Sequence, residues 1–218
     1  MSTANPEETS ERLAPVQVHA SHYAWSSYVE QRRWASYWHQ IDEVLRVKPA
    51  NCLVIGPGDG IVGDILRTFD VTVVTSDIDA ALGPDLVADV RHLPVEDAAF
   101  DVVLCCQVLE HLPFDQLGVC LDEIARVSRG SAVVSIPHKG RTWELAVTVA
   151  PLLRLHRSGK LPARTEHRFD GQHYWELGAR NYPRERVAAV FTERFRIARE
   201  FQVLANPFHH FFVLEKTV

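Results

Sequence analysis

A glycine-rich segment that follows an apolar run is the first stretch of this sequence able to bind a ligand. It reads CLVIGPGDGIVGDIL and covers Cys52 to Leu66. Glycines let the backbone approach a ligand closely, and the N-terminus of the following helix offers it free N–H groups. The letters from Gly58 match the dinucleotide fingerprint G-x-G-x-x-G. The predicted strand ends at Ile55, however, and counting from there puts Ile61 where the third glycine belongs. The segment therefore predicts a ligand-binding loop and favours a nicotinamide cofactor only weakly.

An aspartate at the end of the next predicted strand is a candidate to contact the same ligand. Asp77 ends the segment VTVVTSD, where a carboxylate can accept hydrogen bonds from both hydroxyls of a ribose. The alternative role for Asp77 is to cap the following turn, for which Asp79 is the better candidate. Asp77 therefore indicates an adenosine-type ligand and leaves the cofactor open. A second aspartate, Asp89, lies within the segment LVADV and, taken by itself, could be a surface turn residue.

Strands that alternate with helices must position these residues. Five short apolar segments predict strands, namely CLVIG, VTVVTSD, LVADV, FDVVLCC and SAVVSIP. Helical spacing is found between Tyr28 and Val47, where Trp34 and Trp38 are expected in the core, after the glycine loop, and between Asp115 and Arg129. FRIAREFQVL and HHFFVLEKT add a C-terminal antiparallel hairpin. We therefore predict an α/β fold with a doubly wound, Rossmann-like, mostly parallel sheet of seven strands.

The domain organisation follows from composition and period. Residues 1–20 are polar and aperiodic and predict a flexible N-terminal arm, while residues 21–218 are expected to form a single domain. Within it, residues 142–182 are interpreted as a substrate-side insertion or lid. The segment TWELAVTVAPLLRLH opens this insertion and predicts an apolar helix. Its apolar surface is expected to cover the acceptor site or to form a homodimer through residues 142–157.

Composition excludes several classes of function. The chain of 218 residues has a formal net charge of −5, which disfavours nucleic acid as a partner. It contains no apolar run of about 18 residues and no recognisable signal peptide, so we predict a cytoplasmic protein with no membrane partner. The four cysteines lack paired ligand spacing. No metal site is predicted.

One further segment indicates which cofactor the loop binds. It covers Ala88 to Pro113 and reads ADVRHLPVEDAAFDVVLCCQVLEHLP. Together with the glycine loop and the acidic strand end, it resembles the class I S-adenosylmethionine-dependent methyltransferases, specifically the type 11 methyltransferase-domain group. The resemblance is strong from Asn51 to Pro137 and rests on four motifs in the correct order. It implies S-adenosylmethionine as cofactor and S-adenosylhomocysteine as product.

The resemblance also implies roles for individual residues. Gly56, Pro57, Gly58, Asp59 and Gly60 match the loop against the methionine part of the cofactor. Asp77 with Ile78 matches the ribose site, Asp89 with Val90 matches the adenine site, and Gln107 falls where the substrate side begins. The acidic residue that often precedes the first glycine is replaced by Ile55. Tyr28 and Arg32 or Arg33 are candidates for the cofactor carboxylate.

Three histidines are candidate catalytic residues on the acceptor side. His111 and His138 follow predicted strands, and ligands of open α/β sheets bind outside the carboxyl ends of strands. His173 lies in the insertion, in FDGQHYWELG, which resembles a lid element of related small-molecule methyltransferases. Each has a structural alternative: His111 orients a loop, His138 is a turn residue, and the aromatics beside His173 pack the insertion.

The predicted function is transfer of a methyl group to a small-molecule acceptor by in-line displacement. The acceptor atom, oxygen, nitrogen or carbon, is left open, and a base is needed only where the acceptor must lose a proton. Two alternatives remain. One is an NAD(P)-dependent single-domain oxidoreductase, which lacks a Tyr-x-x-x-Lys pair here. The other is a non-catalytic protein that binds S-adenosylmethionine.

Overall fold

The computed structural model describes residues 13–23, 25–161 and 163–217. Its strands are β1 (Asn51–Ile55), β2 (Thr72–Asp77), β3 (Leu86–Val87), β4 (Phe100–Cys106), β5 (Ser128–Pro137), β6 (Arg141–Val149), β7 (Leu153–Leu161), β8 (Phe195–Val203) and β9 (Asn206–Lys216). Its α-helices are α1 (Trp25–Tyr28), α2 (Gln31–Arg46), α3 (Ile61–Thr68), α4 (Leu117–Val127) and α5 (Arg184–Thr192). In this part of the chain, no helix is long and apolar enough to cross a membrane.

Seven of these strands form one sheet in the order β3-β2-β1-β4-β5-β9-β8. The first five pair in parallel, and β9 pairs antiparallel with both β5 and β8. The predicted fold class is therefore confirmed, including the antiparallel C-terminal hairpin. Strands that pair in parallel need crossover connections, which helices usually provide. The alternation of strands and helices in the sequence therefore predicts a parallel sheet.

Helices cover both faces of the sheet, so the central strands are apolar on both sides. On β4, Val102 and Leu104 pack with one core cluster, while Val103 and Cys105 pack with the other. The first cluster joins the sheet to α2 and α3, and the second joins it to α4 and α5. This two-sided burial explains the continuous apolar run FDVVLCC.

Helix α2 buries a different face from the predicted one. The exposed fractions of Trp34 and Trp38 are 40% and 58%, so the prediction that they pack in the core is wrong. The buried side carries Tyr37, Gln40 and Val44 instead. Polar side chains can be buried here because they have partners: the Glu43 carboxylate, for example, forms an ion pair with Arg199.

The apolar segment after Pro137 is a β-hairpin, which corrects the prediction of a helix. Strands β6 and β7 pair antiparallel from Arg141↔Leu161 to Val149↔Leu153 and form a separate two-stranded sheet. The segment is rich in β-branched residues, and Pro151 lies in the turn, where it disrupts no backbone ladder. The hairpin opens the predicted insertion.

The N-terminal segment and the last glycine of the glycine-rich segment, Gly63, complete the description of the fold. Residues 1–12 of the predicted arm lie outside the described residues, whereas residues 13–20 lie against the domain, with the Ala14 N–H bonded to Asp89 Oδ2 at 3.0 Å. Gly63 lies in α3, and close packing does not require a glycine there. A Cβ at this position would lie 3.6 Å from Val73 Cγ1, an ordinary contact.

Candidate active site

A cavity opens beside the carboxyl ends of β1, β2 and β4, where parallel strands leave room for a ligand. It encloses about 1150 Å³ of space, part of it open to solvent. Nine of the ten predicted cofactor residues line it, with Gly60 as the exception: Gly56, Pro57, Gly58, Asp59, Asp77, Ile78, Asp89, Val90 and Gln107. Residues far apart in sequence thus converge on one site.

In the glycine loop, a side chain at Gly56 or Gly58 would meet a neighbouring residue and would be strained by the positive φ. Gly56 has φ +68°, and a Cβ there would lie 2.4 Å from Val108 Cγ2. Gly58 has φ +58°, and its Cβ would lie 3.1 Å from the ring of Tyr23. The loop therefore keeps its backbone open to the cavity, directly before α3.

Asp59 ties this loop to helix α2. Its Oδ2 accepts a hydrogen bond from the Tyr37 hydroxyl at 2.5 Å, and its Oδ1 accepts the Ile61 N–H at 3.2 Å. Burial and the hydrogen bond to Asp59 raise the pKa of Tyr37, so its hydroxyl stays protonated and remains a donor. Asp59 acts here as a support for the loop.

Asp77 presents a partly buried carboxylate to the cavity. Its Oδ1 accepts the Asp79 N–H at 2.8 Å. Burial raises the pKa of Asp77, and the N–H groups of Asp79 and Ile78 offset part of that effect. Asp79 caps the next turn by accepting the Ala81 N–H at 2.9 Å, as the sequence predicted. Asp77 is therefore available to a ligand in the cavity.

The carboxylate of Asp89 already has four donors. Oδ1 accepts the backbone N–H and Nε of Arg91, both at 2.9 Å. Oδ2 accepts Arg91 Nη2 at 2.5 Å and the Ala14 N–H at 3.0 Å. Burial raises the pKa of Asp89, but these hydrogen bonds hold it below its usual value. Because a carboxylate has about four lone-pair sites, Asp89 in this arrangement anchors the N-terminal segment at the cavity wall.

Several lining residues were not among the predicted site residues. Helix α2 contributes Tyr37 and Gln40, and the segment from Ala14 to Val18 covers part of the cavity. Arg33 lines the cavity one helical turn before Tyr37. It is one of the two arginines predicted to contact the cofactor carboxylate. The spacing of residues 33, 37 and 40 places one polar stripe on the helix, a signal that the two tryptophans obscured.

The structure brings two of the three candidate histidines together. His111 lines the cavity, and its Nδ1 lies 3.0 Å from the carbonyl oxygen of Gln172 and 3.2 Å from Gln17 Oε1. The His173 ring is 5.2 Å from that of His111, although His173 is not part of the cavity lining. His173 Nδ1 lies 3.1 Å from Glu176 Oε1.

His138 lies elsewhere, between the sheet and the insertion. Its Nδ1 is 2.6 Å from Gln202 Nε2 and 3.1 Å from His210 Nδ1. Burial, together with the nearby His210 and Lys160, lowers the pKa of His138 to about 4. This neutral, hydrogen-bonded ring is not among the residues that line the cavity.

Comparison with known proteins identifies the type of domain. Residues 53–136 match the sequence profile of a family described as "Methyltransferase domain". No curated protein matches the chain by sequence.

Solved structures share the fold over nearly the whole chain. The 1,6-didemethyltoxoflavin-N1-methyltransferase of Burkholderia thailandensis, solved with 1,6-didemethyltoxoflavin and S-adenosylhomocysteine, has a TM-score of 0.59 at 18% identity, covering 100% of this chain and 93% of its own. The N-methyltransferase NodS of Bradyrhizobium japonicum WM9, solved with S-adenosylhomocysteine, has a TM-score of 0.60 at 13% identity, with coverages of 97% and 98%. The magnesium protoporphyrin IX methyltransferase of Synechocystis PCC 6803, solved with S-adenosylmethionine, has a TM-score of 0.55 at 15% identity, with coverages of 87% and 85%.

Proposed function

Since the chain carries a methyltransferase domain of the class I fold, we propose that it transfers a methyl group from S-adenosylmethionine to a small-molecule acceptor. The observation that carries this proposal is the convergence of the glycine loop, Asp77 and Asp89 on one cavity. Two of the similar structures are enzymes named for small acceptors, 1,6-didemethyltoxoflavin and magnesium protoporphyrin IX. This supports a small acceptor rather than a macromolecule.

The residues of the cavity fit the cofactor. Gly56 and Gly58 leave the loop backbone open, Asp77 offers acceptors for a ribose diol, and Arg33 offers a cation for a carboxylate. Bound S-adenosylmethionine would supply a methyl group on a positively charged sulfur, ready for in-line displacement. The protein's task is then to hold the acceptor in line and to exclude water.

On the acceptor side, we assign His111 and His173 as the groups that face the substrate. His111 lines the cavity, and the ring of His173 lies 5.2 Å from the ring of His111. An imidazole can orient an acceptor or take up its proton. We assign no such role to His138, because its ring nitrogen is already engaged by His210 and Gln202.

Calorimetry with Asp77→Asn tests the cofactor assignment. The substitution keeps the shape of the side chain but removes the charge that a ribose diol would meet. We expect the affinity for S-adenosylhomocysteine to fall by about 1 to 3 kcal/mol, or roughly 5- to 150-fold. Asp115→Asn, an exposed aspartate outside the cavity, is the matched control and should bind as the wild type does.

The same titrations address the alternative functions. Micromolar binding of NAD with no response to S-adenosylhomocysteine would overturn the methyltransferase proposal in favour of an oxidoreductase. Tight binding of S-adenosylhomocysteine without methyl transfer to any extracted small molecule, measured with labelled cofactor, would favour a non-catalytic binding protein.

We also propose that the β6–β7 hairpin forms a homodimer contact. Several large apolar side chains on it are about half exposed or more: Trp143, Leu145, Val149, Leu152 and Leu153. Contiguous exposed apolar surface of this kind is typical of an interface. The cytoplasmic location and the lack of a nucleic-acid partner stay predictions from composition.

A further inference from the structure

Three potential metal ligands meet beside the cavity: Glu110, His111 and His173. One ligand atom of each lies within 4.8 Å of the other two. Glu110 and His111 belong to the turn after β4, and His173 comes from the insertion. The two segments are joined where the Tyr174 N–H donates to the Glu110 carbonyl oxygen at 2.8 Å. This backbone hydrogen bond holds the two segments side by side.

Glu110 is the unexplained member of this cluster. Its side chain is fully buried, and neither carboxylate oxygen has a hydrogen-bond partner among the residues that the structure describes. An unpaired buried carboxylate is strongly destabilising unless a proton or a cation compensates it. A bound cation would supply the partner that this carboxylate lacks among the described residues.

In both histidines Nδ1 faces a hydrogen-bond acceptor, an arrangement that is common among metal-ligating histidines. The Nδ1 of His111 faces the carbonyl oxygen of Gln172 at 3.0 Å, and that of His173 faces Glu176 Oε1 at 3.1 Å. A carbonyl or carboxylate acceptor holds the proton on Nδ1, so Nε2 keeps its lone pair for a metal. The Glu176–His173 pair has the carboxylate–histidine arrangement typical of the second layer around a metal.

We propose that Glu110, His111 and His173 bind one divalent transition-metal ion of the Zn²⁺ type. Two imidazole nitrogens and one carboxylate are a donor set that such ions prefer, and three protein ligands leave positions open for water or substrate. A tetrahedral Zn²⁺ with ligands at about 2.0 to 2.1 Å would place the donor atoms about 3.3 Å apart. The present separations, all within 4.8 Å, would have to shorten for such an ion to bind.

Glu176 is the proposed positioning residue of the site. It accepts a hydrogen bond from His173, and its Oε2 lies 3.6 Å from His167 Nδ1. Its negative charge strengthens His173 as a ligand.

This site uses the two histidines that the proposed function assigns to the acceptor side, and as metal ligands they would orient an acceptor through the ion and would not take up its proton. Binding of the ion itself does not depend on the proposed function. His111 lines the cofactor cavity, so an ion bound here would stand at the acceptor side of that cavity. An oxygen-bearing acceptor would be the class of substrate suited to its open positions. That last step alone rests on methyl transfer being the reaction.

The test measures metal binding by tag-free, chelator-stripped protein. Titration calorimetry with Zn²⁺ should show one site per chain with a dissociation constant of micromolar or tighter. Glu110→Gln and His173→Gln should each weaken it at least tenfold. The matched control is His92→Gln, an exposed histidine away from the cluster, which should bind as the wild type does. Substitution with Co²⁺ should give visible absorption bands that His173→Gln removes.

The outcomes separate the two proposals. Absence of one-to-one Zn²⁺ binding by the folded wild type, or binding that Glu110→Gln and His173→Gln leave unchanged, overturns the metal site. Circular dichroism checks that each variant is folded, and His173→Gln serves alone if Glu110→Gln is not. Binding of S-adenosylhomocysteine is measured on the same samples. If the wild type does not bind it, the proposed function is overturned and the metal site is unaffected.

Discussion

Arg33 illustrates how a single residue can be assigned from what surrounds it. Its guanidinium carbon lies 3.7 Å from the centre of the Tyr28 ring, and its Nε donates to the Tyr28 carbonyl oxygen at 2.8 Å. These contacts fix the side chain at the cavity wall, while both terminal NH₂ groups have no hydrogen-bond partner in the part of the chain that the structure describes. Such a fork suits a carboxylate.

We predict that Arg33→Met weakens binding of S-adenosylhomocysteine by roughly 10- to 150-fold, since a hydrogen bond to a charged group contributes about 1.5 to 3 kcal/mol. Binding of 5′-methylthioadenosine, which lacks the amino-acid end, should change little. Calorimetry with both ligands measures the difference.

Arg32→Met provides the control, because Arg32 is the exposed neighbour of Arg33 and lies outside the cavity lining. Equal losses for the two ligands in Arg33→Met would contradict the assignment and indicate a general effect on the fold of α2.

The segment that forms β6 and β7 has an apolar spacing that is compatible with a helix as well as with strands. Spacing alone allowed a helix over TWELAVTVAPLLRLH, but the antiparallel ladder runs the full length of both strands. Side chains alternate between the two faces of a two-stranded sheet, and an isolated hairpin is marginally stable. A second surface that covers one of its faces would stabilise it.

At this scale we predict that Val149→Asp dissociates the proposed homodimer. A charge in an apolar contact must be desolvated, so the dimer dissociation constant should rise at least tenfold. Sedimentation velocity over a range of concentrations measures it. Val119→Asp is the matched control, because Val119 on α4 is 51% exposed and Val149 is 50% exposed.

Two results would contradict the dimer contact. One is a wild-type protein that stays monomeric at all concentrations, and the other is an equal effect of Val119→Asp. Affinity for S-adenosylhomocysteine should be unchanged in both variants, because neither valine lines the cavity.

For the whole molecule, buried neutral histidines set the response to acid. His209 is 3% exposed, and burial, followed by the charge of Arg33, lowers its pKa to about 3. The pKa of His138 is lowered to about 4, mainly by burial. In the unfolded chain both titrate near 6.5. Between these values the unfolded state binds more protons, so stability falls as the pH falls.

We therefore predict that the free energy of unfolding decreases from about pH 6.5 to pH 4, by up to about 1.4 kcal/mol per pH unit for each such histidine. Urea denaturation at several pH values measures this slope. His209→Gln should flatten it, whereas His92→Gln, which changes an exposed histidine, should not. An unchanged slope in His209→Gln would show that His209 does not contribute.

The sequence by itself determined the fold class and the type of cofactor loop. Strand and helix periods are local properties, so the order of β1 to β5 along the chain followed from apolar runs of five to seven residues. The glycine loop and Asp77 are likewise recognisable because each motif stands within or next to one element. The predicted cofactor residues therefore converged on one cavity, with only Gly60 outside its lining.

Tertiary structure alone decided which distant side chains meet. The Tyr37 hydroxyl on α2 bonds to Asp59 in the glycine loop, and the buried face of α2 combines that polar contact with the apolar Val44. Glu110 and His173 are 63 positions apart, and neither has the short spacing by which a metal site is recognised in a sequence. Their juxtaposition depends on how the insertion packs against the turn after β4, because long-range contacts are set by the packing of whole elements and not by local propensity.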